Sequence, residues 1–116
     1  MKTKLIIASL FLLSFPTLAV TKAANIFFPE KGVICDKKGE YCADQQGLSL
    51  KLTERYLGKK ASERLKADIG DGKDFDFSSY TLSNGVHCES KEKKCYKDRY
   101  YPRTEENKEF TKKLYE

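Results

Sequence analysis

The 116-residue chain sets 22 Lys and Arg against 17 Asp and Glu, a formal charge of +5, with 40% hydrophobic residues, four cysteines and no tryptophan. That length suits one domain with a modest core, and nothing in the sequence marks a second. The charge is no nucleic-acid signature either, because Lys2 and Lys4 fall in an expected export leader and Lys22 leaves with it if cleavage is late, so the remaining domain is only mildly basic.

Met1-Lys2-Thr3-Lys4 followed by an apolar run from Leu5 to Phe15 has the charged and greasy regions of a secretory signal. The run falls short of the about 20 apolar residues that a membrane span needs. Pro16 ends it, and small residues then satisfy the cleavage rule in two places: Thr17 and Ala19, or Thr21 and Ala23. The expected organisation is a signal peptide over residues 1–23, cut after Ala19 or Ala23, then a disulfide-stabilised domain over 24–103. A C-terminal tail or short helix follows over 104–116. The expected location is the periplasm or the exterior, with no transmembrane segment once the leader is removed.

Cys35, Cys42, Cys88 and Cys95 form an even set in a short exported chain, which reads as a disulfide framework. Each pair encloses six residues, and Gly32-Val33-Ile34-Cys35 returns as Gly85-Val86-His87-Cys88 at an offset of 53. Two related hairpins follow, one turning at Lys38-Gly39 and the other near Lys91-Glu92. Opposed strand residues lie about 4.5–5.5 Å apart, within the range that a disulfide accepts, so geometry favours Cys35–Cys42 and Cys88–Cys95. The two crossed connectivities stay open from sequence. The spacing is wide for a structural zinc site, and no Cys-x-x-Cys redox pair is present; no metal and no cofactor is expected.

Between the pairs, Ser49 is the expected N-cap of a helix with Leu48, Leu52 and Tyr56 on one face, and Gly58 sits where it should end. Leu57, Ala61 and Leu65 make a second stripe, so the sequence reads as two helices or one kinked helix. Asp68–Asp76 is an acidic, turn-rich loop without the ligand rhythm of a calcium site, entering a strand with Phe75 and Phe77 inward. Asn84-Gly85 predicts a hairpin with a type I′ turn. Three short strands on each side of a central helical segment give an α+β domain of antiparallel hairpins with a pseudo-repeat.

The motifs Gly32-Val33-x-Cys35-Asp36, Tyr41-Cys42-Ala43-Asp44, Gly47-Leu48-Ser49, Leu52-Thr53-x-x-Tyr56-Leu57-Gly58, Ser83-Asn84-Gly85-Val86-His87-Cys88 and Asp98-Arg99-Tyr100 occur here in order. With them the chain resembles the YcgJ-like family of small exported proteins of enteric bacteria and their prophages. The resemblance implies export and a paired-cysteine domain, and it supplies no catalytic residues.

No catalytic set is expected. His87 stands alone beside Cys88, and strand neighbours point to opposite faces, so the two cannot pair as nucleophile and base. Residues 88–103 instead interleave Lys91, Lys93, Lys94, Lys97, Arg99 and Arg103 with Tyr96, Tyr100 and Tyr101. The expectation is a binding or inhibitor-like protein using pinned loops, with Ser83, Asn84, Gly85, Lys91, Lys93, Lys94 and Lys97 as its surface. Its partner would be an anionic envelope component or another exported protein, not nucleic acid. A passive envelope-stress or structural protein, and a hydrolase built on carboxylates, are the alternatives.

Overall fold

The computed structural model describes residues 25–116, so the expected leader lies outside the described residues. A two-residue turn at Lys31-Gly32, with Gly32 at φ 81°, folds strand β1 (Ile26–Glu30) onto β2 (Val33–Asp36). β3 (Tyr41–Asp44) and β4 (Gly47–Ser49) complete an antiparallel sheet of order β1-β2-β3-β4. The Ser49 hydroxyl then accepts the Leu52 N–H at 3.1 Å and starts helix α1 (Leu50–Leu57). Gly58, at φ 101°, separates α1 from α2 (Lys59–Ile69), so the central segment is two helices. β5 (Ser79–Thr81), β6 (His87–Glu89) and β7 (Lys94–Tyr96) build a second antiparallel sheet. Helix α3 (Lys108–Tyr115), capped by the Asn107 side chain, ends the fold.

The chain is thus α+β, and the pseudo-repeat holds down to strand register. Ile26 opposes Asp36 as Ser79 opposes Glu89, and Phe27 opposes Cys35 as Tyr80 opposes Cys88. Cys35 opposes Cys42 as Cys88 opposes Cys95, and both local disulfides are formed. The helices repeat as well, although at a longer offset. Ser49, Leu52, Thr53, Tyr56 and Leu57 on the first correspond to Asn107, Phe110, Thr111, Leu114 and Tyr115 on the third. In each unit a buried threonine turns its hydroxyl onto the disulfide strand: Thr53 Oγ1 accepts the Cys42 N–H at 2.8 Å, and Thr111 Oγ1 accepts the Cys95 N–H at 2.9 Å. A backbone donor beside a dry disulfide needs such a partner, since an unpaired one costs about 1–3 kcal/mol.

Four local expectations change. Both cysteine hairpins close with four-residue loops, because Asp36–Tyr41 and Glu89–Lys94 are the last opposed pairs; Glu40 and Lys93 occupy equivalent positive-φ positions. In the Asn84-Gly85 hairpin only Gly85 takes positive φ, and Gly85 N–H closes a turn onto the Leu82 carbonyl at 2.9 Å. The loop is therefore Ser83-Asn84-Gly85 and not type I′. Phe77 is 37% exposed and packs edge-on against Phe75, since β5 begins only at Ser79 and the inward positions go to Ser78 and Tyr80. Leu48 belongs to β4, not to the helix face, and packs on the opposite side of the sheet from Leu52 and Tyr56.

Two cores result. Val33 and the Cys35–Cys42 pair pack under Leu52, Tyr56 and Leu57 of α1. The other face of that sheet, with Ile34 and Ala43, packs against Tyr80, the Cys88–Cys95 pair and Leu114 of α3. The first unit therefore lies on the disulfide side of the second, and a buried carboxylate joins them. Asp36, fully buried, accepts the Ser83 N–H at 2.6 Å and the Ser83 hydroxyl at 2.8 Å, as well as the Gly39 N–H at 3.0 Å. Burial, helped by the same charge, raises the Tyr41 phenol above its ordinary range.

Candidate functional site

The first unit buries both faces of its sheet; the second leaves one face outward. Alternation places Ser79 and Thr81 of β5, His87 and Glu89 of β6 and Tyr96 of β7 on that outer face. Their counterparts in the first unit are Ile26, Phe28, Ile34, Asp36 and Ala43. Where the first unit presents mostly apolar groups to its neighbour, the second presents hydroxyls, an imidazole and a carboxylate. This is how a terminal repeat avoids exposing a sticky face.

The polar face is closed by a strap over residues 97–106. Lys97 N–H donates to the Glu105 carbonyl at 2.8 Å, and Asn107 N–H to the Cys95 carbonyl at 2.8 Å, so the strap leaves and rejoins β7 at fixed points. Arg103 reaches back from it: Nη2 donates to Glu89 Oε2 at 2.8 Å and to the Tyr101 hydroxyl at 2.7 Å. Its guanidinium lies 4.0 Å from the Tyr101 ring centre and 4.8 Å from that of Tyr96. The Tyr96 hydroxyl donates to Glu92, a contact that pushes the phenol up to about 12.

Glu89 is the hub beneath the strap. His87 Nε2 lies 2.6 Å from Glu89 Oε2, the Ser79 hydroxyl donates to the same oxygen at 2.9 Å, and Arg103 supplies the third contact. Burial raises the Glu89 carboxyl, but hydrogen bonds from His87 and Ser79 and the neighbouring positive charge outweigh it and leave the group below its usual value. The other imidazole nitrogen, Nδ1, lies 2.9 Å from the Thr81 hydroxyl. A hydroxyl, imidazole and carboxylate in line have the composition of a hydrolytic relay. Most amides of the turn beside Thr81 are already engaged, however: Leu82 N–H with Val86, Ser83 N–H with Asp36, Gly85 N–H with Leu82 and Val86 N–H with Asn84. A relay needs such donors free to hold a developing oxyanion, so the arrangement supports a latch for the strap.

At the Ser83–Gly85 end the strap and the turn enclose an open cleft of about 260 Å³, lined by Thr81, Leu82, Ser83, Gly85, Asp98, Arg99 and Tyr100. Asp98 Oδ1 shapes its wall by accepting the Tyr100 N–H at 3.1 Å and the Thr104 hydroxyl at 3.2 Å. Tyr100 is 62% exposed, and the Arg99 guanidinium stands 5.3 Å from its ring centre. A second cleft, of about 510 Å³, lies between the first cysteine loop and the helices and is lined by Lys37, Glu40, Tyr56, Leu57, Lys60, Ala61 and Arg64. There Arg64 pairs with Glu40 at 2.9 Å. Among the described residues, no group of three or more His, Cys, Asp or Glu could hold a metal ion. No helix in them is long and apolar enough to cross a membrane.

The sequence-derived surface splits in two. Ser83, Asn84 and Gly85 form the turn beside the cleft, and Lys97, one residue past β7, belongs to the same end. Lys91 and Lys93 are exposed in the loop at the opposite end of β6, next to Lys94. Arg99 and Tyr100 belong to the basic, tyrosine-rich stretch 88–103 but not to the expected surface, and Asp98 and the Thr81–His87–Glu89 set have no place in the expected site. The alternation Ser79-x-Thr81 and His87-x-Glu89 about a three-residue turn was the available signal.

A family model described as YcgJ protein matches residues 26–115. A curated protein of Escherichia coli (strain K12) carrying the description "Uncharacterized protein YcgJ" is 42% identical over 79 residues, 68% of this chain and 60% of the relative. The chain thus aligns with less than two thirds of the relative's length. No solved structure matches.

Proposed function

The chain belongs to the YcgJ protein family, and we propose that it works outside the cytoplasm as a small binding protein whose ligand meets the Ser83–Gly85 end of the second sheet. The two disulfides fit an oxidising compartment, and the expected leader over residues 1–23 would deliver the chain there. The observation that carries the binding reading is the cleft between turn and strap. Both of its walls are fixed before any ligand arrives, the turn by Asp36 and the strap by Glu89 through Arg103. Preformed walls lose little entropy on binding. The exposed Tyr100 and Arg99 are residue types that dominate recognition surfaces.

A photo-crosslinking side chain installed at Asn84, with a control at Glu63 on α2, tests this in cells that make the protein. Reproducible adducts from the turn alone are the expected result. Adducts at equal yield from both positions, or from neither, would favour a passive envelope protein. Intact mass and a non-reducing digest of the recovered protein check export: loss of 19 or 23 residues with both bridges formed is expected, and an unprocessed chain with free thiols would refute it.

A further inference from the structure

We propose that the cleft at the Ser83–Gly85 end takes a carboxylate-bearing sugar ring of an anionic glycan, with Arg99 holding the carboxylate and Tyr100 facing the ring. This inference rests on the binding reading above and names its ligand. At about 260 Å³ and open to solvent, the cleft is smaller than the roughly 300–1,000 Å³ pockets that enclose a free small molecule. One residue of a longer chain fits, lying against the surface with its neighbours continuing outside.

The lining supplies what such a residue needs. A pyranose offers C–H faces and a rim of hydroxyls, so it calls for an exposed aromatic plane with polar atoms around it. Tyr100 is that plane, and Tyr101, 75% exposed, stands beside it on the strap. The lining also includes Asp98, whose carboxylate accepts from sugar hydroxyls, and Thr81 and Ser83, whose hydroxyls are engaged with His87 and Asp36 and keep lone pairs as acceptors.

Arg99 sets the charge of the ligand. Among the described residues, no carboxylate lies within ion-pair distance of it, while Arg55, Arg64 and Arg103 each have one. A planar guanidinium with its donors free matches a carboxylate in two parallel hydrogen bonds. Asp98 in the same lining argues for a single negative charge: beside one Arg and one Asp, a carboxylate leaves half the uncompensated charge that a phosphate dianion would. A protein partner fits less well. A stable protein interface buries about 1,200–2,000 Å² around an apolar centre, and the large apolar side chains exposed among the described residues are Phe77, Tyr100 and Tyr101 alone.

The test is a nitrogen-15 NMR titration of the full chain with both disulfides formed. The probes are galacturonate, glucuronate, N-acetylmuramate and N-acetylneuraminate oligosaccharides, each beside its carboxyl-reduced counterpart. For at least one acid, shifts confined to Thr81–Gly85 and Asp98–Tyr101 are expected, with affinity falling about tenfold or more on carboxyl reduction. Arg99→Gln should lose the same factor and bind acid and reduced sugar alike. Tyr100→Ser should weaken both. Arg99 and Tyr100 are exposed, and an unchanged amide spectrum away from the strap certifies each variant's fold. Equal binding of acid and reduced sugar, shifts centred on Lys37, Lys60 and Arg64, or stronger competition by inorganic phosphate would each overturn the proposal. Silence from all four acids with protein adducts persisting at Asn84 would sink the glycan and leave the binding surface; silence in both experiments would sink both.

Discussion

Replacing Asp36 tests whether one buried carboxylate joins the two units. Its three hydrogen bonds fall into two classes. The contacts to the Ser83 N–H and hydroxyl, at 2.6 and 2.8 Å, cross between units, while the contact to the exposed Gly39 N–H at 3.0 Å is local and water can replace it. Hydrogen bonds to a charged group contribute about 1.5–3 kcal/mol each, less what the carboxylate lost on leaving water. With both cross-unit bonds counted near the low end and the local one at a few tenths, Asp36→Ala should destabilise by about 3–4 kcal/mol. Asp36→Asn retains one acceptor oxygen and should lose about half as much. For some 90 residues, total stability is of order 5–14 kcal/mol, so the alanine variant stays measurable. Urea unfolding followed by far-UV circular dichroism gives the change from the midpoint at constant slope. A cycle with Ser83→Ala should return a coupling near 2 kcal/mol. An Asp36→Ala loss under about 1 kcal/mol, or no coupling to Ser83, would refute the joint and leave apolar packing to hold the units together.

Thr53→Val and Thr111→Val each strip the acceptor from a cysteine N–H at an equivalent place, so each should cost about 1–3 kcal/mol by urea midpoint. Opening either eight-residue ring by a Cys→Ser pair should cost about 2.5 kcal/mol on the loop-entropy model, measured the same way. Glu89, held below its ordinary value of 4.5, stabilises the fold above the normal carboxylate range, and that contribution is lost as pH falls through its folded value. Urea midpoints from pH 7 to 3 should therefore fall more steeply for wild type than for Glu89→Gln, and parallel curves would refute the latch. A Cβ at Gly47, where φ is 131°, would lie 2.2 Å from the Phe77 carbonyl oxygen, whereas one at Gly85 meets nothing within 4 Å. Gly47→Ala should cost at least about 2–3 kcal/mol and Gly85→Ala about 1 kcal/mol, compared by thermal midpoint.

Local spacing and periodicity were legible in the chain before any fold. Equal cysteine spacing with a shared Gly-Val-x-Cys lead marked two hairpins, because a disulfide inside a short antiparallel ring needs its cysteines opposed, and register follows from that. Ser49 and Gly58 marked the ends of α1, because a cap satisfies orphan backbone groups within a few residues. The kinship of α1 and α3 was written as Leu52-Thr53 and Phe110-Thr111, yet hidden by the longer connection that precedes α3, where an offset of 53 no longer holds.

The tertiary structure decided which faces meet. Asp36 and Glu89 are equivalent acids in the repeat, and nothing near either in sequence separates their roles. One grips a turn 47 residues away and the other a strap, because the first unit lies between its helix and the second unit while the second has an open side. The cleft exists only because that open side is covered by a strap returning to β7 and ending against the Ser83 turn. Strand pattern fixes which side chains share a face. What lies against that face is settled by packing between distant segments, and no local propensity encodes it.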